Sequence, residues 1–297
     1  MTQLLQLSIS GLALGATYAL VALGFSVVYR ASRLFNFAHG ELLSLGAFLM
    51  TALVEVLPWW LAFAAAACLT GGLAALLERT VLRRMVGRPV FTTIILTLFL
   101  GLLLRAGIVI AFGTDTRGMP TPWDALAEVQ VGDATVLLSS LVSLGATAAV
   151  LVLLHALVQR TPLGVAMRAA SESQEVSLAL GIPVGRVLAF TWFLAGATAA
   201  VAGIFLGMFP RSVDSNLGYV ALRAFPAIIV GGLESVVGAV VAAFMLGLLE
   251  VLSQAYVNPH LGAFGHNFHA VFPYAAMILF LVLRPRGLWG EHEVRRV

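Results

Sequence analysis

Apolar runs near the length of a bilayer crossing recur along the chain, each ended by a short polar or arginine-bearing stretch. A helix needs about 20 predominantly apolar residues to cross a hydrocarbon core. Runs of that kind lie at roughly 7–28, 37–54, 61–82, 91–112, 136–158, 187–208 and 236–256, and a last one ends near Leu283. The run from Phe225 to Gly232 is apolar but too short to cross alone. The pattern predicts an all-α polytopic membrane protein with about eight or nine transmembrane helices. One of them is a short or broken segment near 219–233, and a single transmembrane domain occupies 1–297. Pro58-Trp59-Trp60 reads as a tight turn with interfacial aromatics. A polar loop after Phe112 carries Asp115, Asp124, Glu128 and Asp133 against Arg117.

The longest polar interruption that keeps a helical pattern is 159–187. It holds Arg160, Arg168, Glu172, Glu175 and Arg186 in a chain of which only 10% is charged. Thr161 is placed to cap a helix with Pro162 at its first position. Leu163, Ala166, Met167 and Ala170 then fall on one face. Ser171 or Ser173 starts a second short helix, and Gly181 stops it. The segment is therefore a compact, half-apolar helical pair in the aqueous phase. Docking to another protein and service as a solvated connector both suit such a shape.

Composition sharpens the class. The chain is 60% hydrophobic with mean hydropathy +0.99, more apolar surface than a soluble domain can bury. Its seventeen basic residues are all Arg, so no lysine-bearing phosphate loop exists and ATP is not held in that way by this chain. The single cysteine, Cys68, excludes an internal disulfide and a multi-cysteine metal site. The stretch MTQLLQ has no basic n-region and reads as the start of a retained span. Basic residues bias loops to the cytoplasm. With 159–187 inside and 219–232 counted as a crossing, the inner segments hold Arg30, Arg33, Arg79, Arg83, Arg84, Arg88, Arg160, Arg168, Arg186, Arg284, Arg286, Arg295 and Arg296, against Arg117 and Arg211 outside. The net charge of +3 follows from this asymmetry and implies no nucleic-acid partner.

Polar groups inside the spans are the candidate site. Asn36-Phe37-Ala38-His39-Gly40-Glu41 opens the second span, where such side chains cost free energy unless solvated, paired or bonded. Helix capping and a role in gating or the pathway are the two readings of Asn36, His39, Gly40 and Glu41. Gly40 and Gly46 weaken the helix in the manner of broken transporter helices. Gly232-x5-Gly238-Ala239, with Gly231 and Glu234 beside it, echoes Gly40-x5-Gly46-Ala47, and Phe225-Pro226-Ala227 loosely mirrors Phe37-Ala38. Arg105 lies within the fourth span and faces the bundle interior, a helix end or an aqueous cavity. Glu250 is a second ionisable group within a span. His260, His266 and His269 share a loop, but no Cys, Asp or Glu lies between Val257 and Phe272 to complete a metal set. No nucleophile–base pair marks an enzyme.

Taken together, these residues resemble the permease subunit of high-affinity branched-chain amino-acid ABC transporters of the LivH type. The likeness runs through 15–48, 78–89, 160–187, 193–207, 224–250 and 283–290. The Asn36–Glu41 string and the Arg284-Pro285-Arg286-Gly287-Leu288 ending carry most of its specificity. Departures are Ser173-Gln174 where the family commonly has an acidic-Pro start, Arg84-Met85 near Arg83, and the loop 209–223. The resemblance implies a bacterial inner-membrane complex of two homologous permeases, two cytoplasmic ATPases that bind the ATP, and a periplasmic binding protein. The chain itself would hold no cofactor. Arg160, Leu163, Met167, Arg168, Glu172, Glu175 and Gly181 would form the coupling element seated in the ATPase. The implied substrate is leucine, isoleucine or valine, with urea or short amides as the alternative and a stand-alone secondary transporter as a different class. The expected route is narrow, lined by small and aliphatic side chains of spans two, six and seven, with no high-affinity site of its own.

Overall fold

The computed structural model describes residues 2–85, 88–132, 134–208, 210–233, 235–284 and 287–289. Asp133, Glu234, Arg286, Arg295 and Arg296, and the side chain of His266, lie outside the described residues. Among those described, six helices are long and apolar enough to cross a membrane: α1 (Thr2–Ser32), α3 (Trp59–Thr80), α4 (Val90–Phe112), α5 (Leu138–Arg160), α8 (Val184–Leu206) and α11 (Val236–Tyr256). Three shorter apolar stretches join them: α2 (His39–Leu53), the pair α9 (Leu217–Arg223) and α10 (Phe225–Gly231), and α12 (Phe268–Leu283). Between α5 and α8 lie α6 (Pro162–Glu172) and α7 (Gln174–Ala179). This is the all-α polytopic architecture that the apolar runs predict, with the broken segment where it was expected.

α1 and α8 form the centre, and close approach of backbones explains how. Gly11 and Gly15 of α1 lie against α11; a Cβ on Gly15 would sit 2.7 Å from Phe244 Cα. A Cβ on Gly196 of α8 would sit 2.8 Å from the Thr70 carbonyl oxygen of α3. Gly46 of α2 abuts Ala200, and Gly203 abuts the Leu43 carbonyl. Lipid tails are as apolar as leucine, so small residues that let helices touch replace the hydrophobic effect as the packing device. α4 and α5 keep broad apolar faces exposed, including Phe99, Leu102 and Ile110 on α4 and Val152 and Leu153 on α5.

Contacts sort the helix ends into two sides. On one side, Arg117 and Val213 pair their backbones, Trp59 Nε1 donates to the Pro120 oxygen at 2.9 Å, and Leu138 N donates to Ala127. On the other, Arg83 Nη2 donates to Gly185 O at 2.6 Å, Gln174 Nε2 donates to Ala31 O at 3.1 Å, and Leu288 N donates to Val230 O at 2.7 Å. The second side carries Arg30, Arg33, Arg79, Arg83, Arg84, Arg88, Arg160, Arg168, Arg186 and Arg284. Ends alternate between the two sides only if the three shorter stretches also cross, α9 and α10 as one. The expected polar loop after α4 contains something the helical pattern did not anticipate, a hairpin of β1 (Glu128–Val131) and β2 (Ala134–Leu137) in antiparallel register with Val129 opposite Val136. Its signal was the alternation of EVQV and ATVL about Gly132, whose φ of 64° suits a two-residue hairpin turn.

Candidate functional site

The second crossing is half irregular. α2 has 15 residues, on the order of 22 Å, and residues 33–38 before it are not helical. A Cβ on Gly24 would lie 2.6 Å from His39 Cε1, so α2 begins roughly two turns before the end of α1, on the order of 12 Å along its axis. The chain therefore re-enters the protein before coiling. Irregular backbone survives at membrane depth only where protein buries and satisfies it. Asn36 Oδ1 accepts from Ala38 N at 3.1 Å, Thr97 Oγ1 of α4 donates to Phe35 O at 3.2 Å, and His39 packs edge-on to Phe25 at 4.8 Å. Asn36 thus closes a turn onto Ala38 rather than capping α2, whose N-cap is Ala38 with no side-chain cap bond, and α2 is unbroken through Gly40 and Gly46. The interruption is at 33–38; the two glycines are contact positions.

A second interruption meets the first. α9 ends at Arg223 and α10 begins at Phe225. Phe37 and Phe225, the loosely mirrored pair, meet with centroids 5.8 Å apart and planes tilted by 34°, and the Gly218 carbonyl of α9 fills the space a Gly40 side chain would need. Here α2, α4 and α9 line an open cavity of about 420 Å³. Glu41 and Arg105 share it, with Arg105 Nη1 3.8 Å from Glu41 Oε1. Arg105 Nη2 donates to Asn216 Oδ1 at 2.8 Å, and its guanidinium lies 4.2 Å over the Tyr219 ring. Glu41 Oε2 and Arg105 Nη1 have no hydrogen-bond partner.

Gly231 and Gly232 are not part of this cavity. Gly231 presses on Gly238, and Ser235 caps α11 by accepting from Gly238 N at 3.0 Å. The C-terminal Gly287-Leu288-Trp289 then closes α10: Leu288 N and Trp289 N donate to Val230 O and Gly231 O at 2.7 and 3.2 Å. The described end of the family-like motif, Gly287-Leu288, is thus part of a helix cap on the arginine-rich side. The two glycine patterns are similar in sequence and different in place.

A more polar vestibule opens on the opposite side, between α1, α5, α8 and α11, also with about 420 Å³. Glu250 reaches it, accepting from the Tyr18 hydroxyl at 2.8 Å and pairing with Arg223 at 3.4 Å. Sequence reasoning named Glu250 but missed its partners, because more than two hundred positions separate Tyr18 from it. His269 Nδ1 lies 2.9 Å from Asn258 Nδ2; no group of three metal-binding side chains occurs among the described residues.

The helical pair between α5 and α8 forms as its caps dictate. Thr161 Oγ1 accepts from Gly164 N at 3.1 Å and Ser173 Oγ from Val176 N at 3.3 Å. Gly181, at φ 81°, closes α7: Gly181 N donates to Leu178 O and Ile182 N to Ser177 O, at 3.0 and 2.9 Å, the bonding of a Schellman motif. The face, however, is turned the other way from the docking expectation. Met167 and Ala170 are buried against Ala31, Val184 and Val187, and Leu163 is half-buried. Arg168 is tied back to the Val158 carbonyl. Free to meet another protein are Val165, Val176, Leu178 and Leu180, with Glu172 and Glu175 beside them. Sequence periodicity found the apolar stripe but could not tell that the chain's own helices cover it. Beside this pair, Arg83 bonds Glu78 through Nε at 3.0 Å and Nη2 at 2.7 Å. These bonds push the Arg83 guanidinium above its ordinary pKa.

Six apolar helices of crossing length, with interrupted helices and a cavity between them, are the architecture of a multi-pass membrane protein. The model of the family described as branched-chain amino acid transport system / permease component matches residues 7–281, and the chain belongs to that family. It is 28% identical to the high-affinity branched-chain amino acid transport system permease protein LivH of Escherichia coli K12, over 99% of this chain and 97% of that one. It is 28% identical to the corresponding permease protein BraD of Pseudomonas aeruginosa, over 99% and 98%. A probable LivH of Methanocaldococcus jannaschii is 31% identical over 46% of this chain and 44% of its own. No solved structure matches.

Proposed function

We propose that the chain is the membrane-spanning subunit of an ATP-driven importer of leucine, isoleucine and valine in the bacterial inner membrane. A second homologous permease, two cytoplasmic ATPases and a periplasmic binding protein complete the complex. The observation that carries this is the near-full-length kinship with permeases named for branched-chain amino acid transport. Two features support the partners. The exposed Val176, Leu178 and Leu180 offer an ATPase an apolar ridge rimmed by Glu172 and Glu175. The uncovered face of α4 offers a neighbouring permease a surface.

The mechanism follows from the joints. α6 packs on α1 and α8 through Met167, and Arg83 links the end of α3 to the start of α8. Force applied at α7 by ATPase closure therefore reaches both central helices. They hold the interrupted segments, whose ends share few helical bonds and move at least cost. Rocking of these halves exposes the interior to each side in turn. The test is uptake by the reconstituted complex across branched-chain amino acids, other amino acids, urea and short amides. ATP-dependent uptake confined to leucine, isoleucine and valine is expected; uptake of urea or amides alone overturns the substrate assignment.

A further inference from the structure

The cavity between α2, α4 and α9 contains an arrangement that an aliphatic route does not need. Glu41 is 8% exposed, and its Oε2 has no partner. Arg105 is oriented by Asn216 at 2.8 Å and by the Tyr219 ring at 4.2 Å, yet its Nη1 is unbonded. The two charges stand 3.8 Å apart at their nearest atoms, too far for a hydrogen bond. A resting ion pair at this depth would close to a bidentate contact, since an uncompensated buried charge is costly. Here each partner keeps one buried atom unbonded at the wall of a cavity of about 420 Å³ that both residues line, within the roughly 300–1,000 Å³ of small-ligand pockets, and a ligand reaches those atoms as the loose pair parts.

We infer that Glu41 and Arg105 form a transient binding site for the zwitterionic head of an α-amino acid. This rests on the proposed function and deepens it. The free oxygen of Glu41 accepts from the substrate ammonium, and the free nitrogen of Arg105 donates to its carboxylate. The zwitterion replaces the loose pair with two charge-assisted contacts. The remaining wall is apolar, built by Ile95, Leu98, Leu102 and Leu222, and takes a branched aliphatic side chain. Glycine leaves the carboxylate its place at the polar end: a Cβ on Gly218 would lie 2.8 Å from Glu41 Oε1 and shift it. Urea and simple amides carry neither charge and leave both groups unpaired, so the site discriminates against them. The cavity opens along α4, and a Glu–Arg pair so near that mouth is costly beside lipid tails. A neighbouring permease closes it.

The test is competition against radiolabelled leucine uptake by the complete complex in proteoliposomes, using leucine, leucinamide (no carboxylate) and 4-methylpentanoate (no amine). Loss of one charge-assisted contact is worth about tenfold or more. In the unaltered complex both analogues should compete at least about tenfold less well than leucine. In Arg105→Gln the handicap of leucinamide should vanish while that of 4-methylpentanoate persists; Glu41→Gln should do the reverse. The double variant, which leaves no unpaired charge, should insert and assemble yet lose both handicaps and most leucine uptake. Handicaps that survive unchanged in the variants overturn the site, as does full leucine uptake by the double variant. Absence of any branched-chain uptake by the unaltered complex overturns the proposed function instead.

Discussion

At the scale of the residue, the buried polar groups separate into those that fasten and those that are left free. Glu78 and Arg83 fasten. Their bidentate bonds, with a third from Arg83 to Gly185 at 2.6 Å, hold α3 and α8 together at the arginine-rich side. Glu78 is 2% exposed and the Arg83 side chain 37%, so water screens part of the pair. Glu78→Ala should cost about 1–3 kcal/mol, below the ~3–5 kcal/mol of breaking a fully buried pair. Thermal unfolding in detergent measures it, and Glu78→Gln should recover part of the loss. Glu250 also fastens, through Tyr18 and Arg223. Glu41 and Arg105 are the group left open. Sequence marked Glu41 by its place in the Asn36–Glu41 string and Arg105 by its depth in a span. It could not bring them together, because the contact depends on where α9 delivers Gly218, Tyr219 and Asn216.

At the scale of the element, two expectations change. Gly40 and Gly46 read as helix-weakening residues and are instead the points where α2 touches α9 and α8. Gly46→Val forces its side chain into Ala200 and should cost about 1–3 kcal/mol by overpacking, lowering the amount of protein in the membrane together with transport. Transport lost at unchanged abundance would restore a gating role to this glycine. The coupling pair changes in a similar way. Met167 is an internal contact, so Met167→Glu should reduce abundance by burying a charge. Leu180→Asp, on the exposed face, should leave abundance unchanged and lower ATP-driven uptake about tenfold or more, as loss of an interface anchor does. Parallel assays of ATP hydrolysis and uptake distinguish the two. Caps and stops were largely legible: Thr161 and Gly181 act as the local pattern says, and of the two candidates Ser171 and Ser173 it is Ser173 that caps α7. Which face a short helix hides was not, since both faces of α6 and α7 carry apolar side chains.

At the scale of the whole molecule, the apolar runs alone outlined the bundle, and arginine placement gave it a direction. Its packing order was less legible. Only part of it is written locally, as in Gly11-x3-Gly15, whose spacing suits close helix contact and which does meet α11. The structure groups the helix ends without charge counting, and the arginines then give the groups a direction. Bonds from Arg117, Trp59 and Leu138 gather one set of ends, bonds from Arg83, Gln174 and Leu288 gather the other, and the arginine-rich set is the one that carries α6 and α7. Basic loops are retained in the cytoplasm, so α7 should lie inside and the β1–β2 hairpin outside. In a background with Cys68 replaced by alanine, Ser173→Cys should react with a membrane-impermeant maleimide only in inside-out vesicles. Ala125→Cys, in the loop that leads to β1, should react only in right-side-out vesicles. Labelling of both from one side would mean that α5 does not cross, because among the described residues it is the only helix of crossing length between these two positions. Exchange of the two sides would leave every internal contact intact and still remove the ATPase from the face of α7.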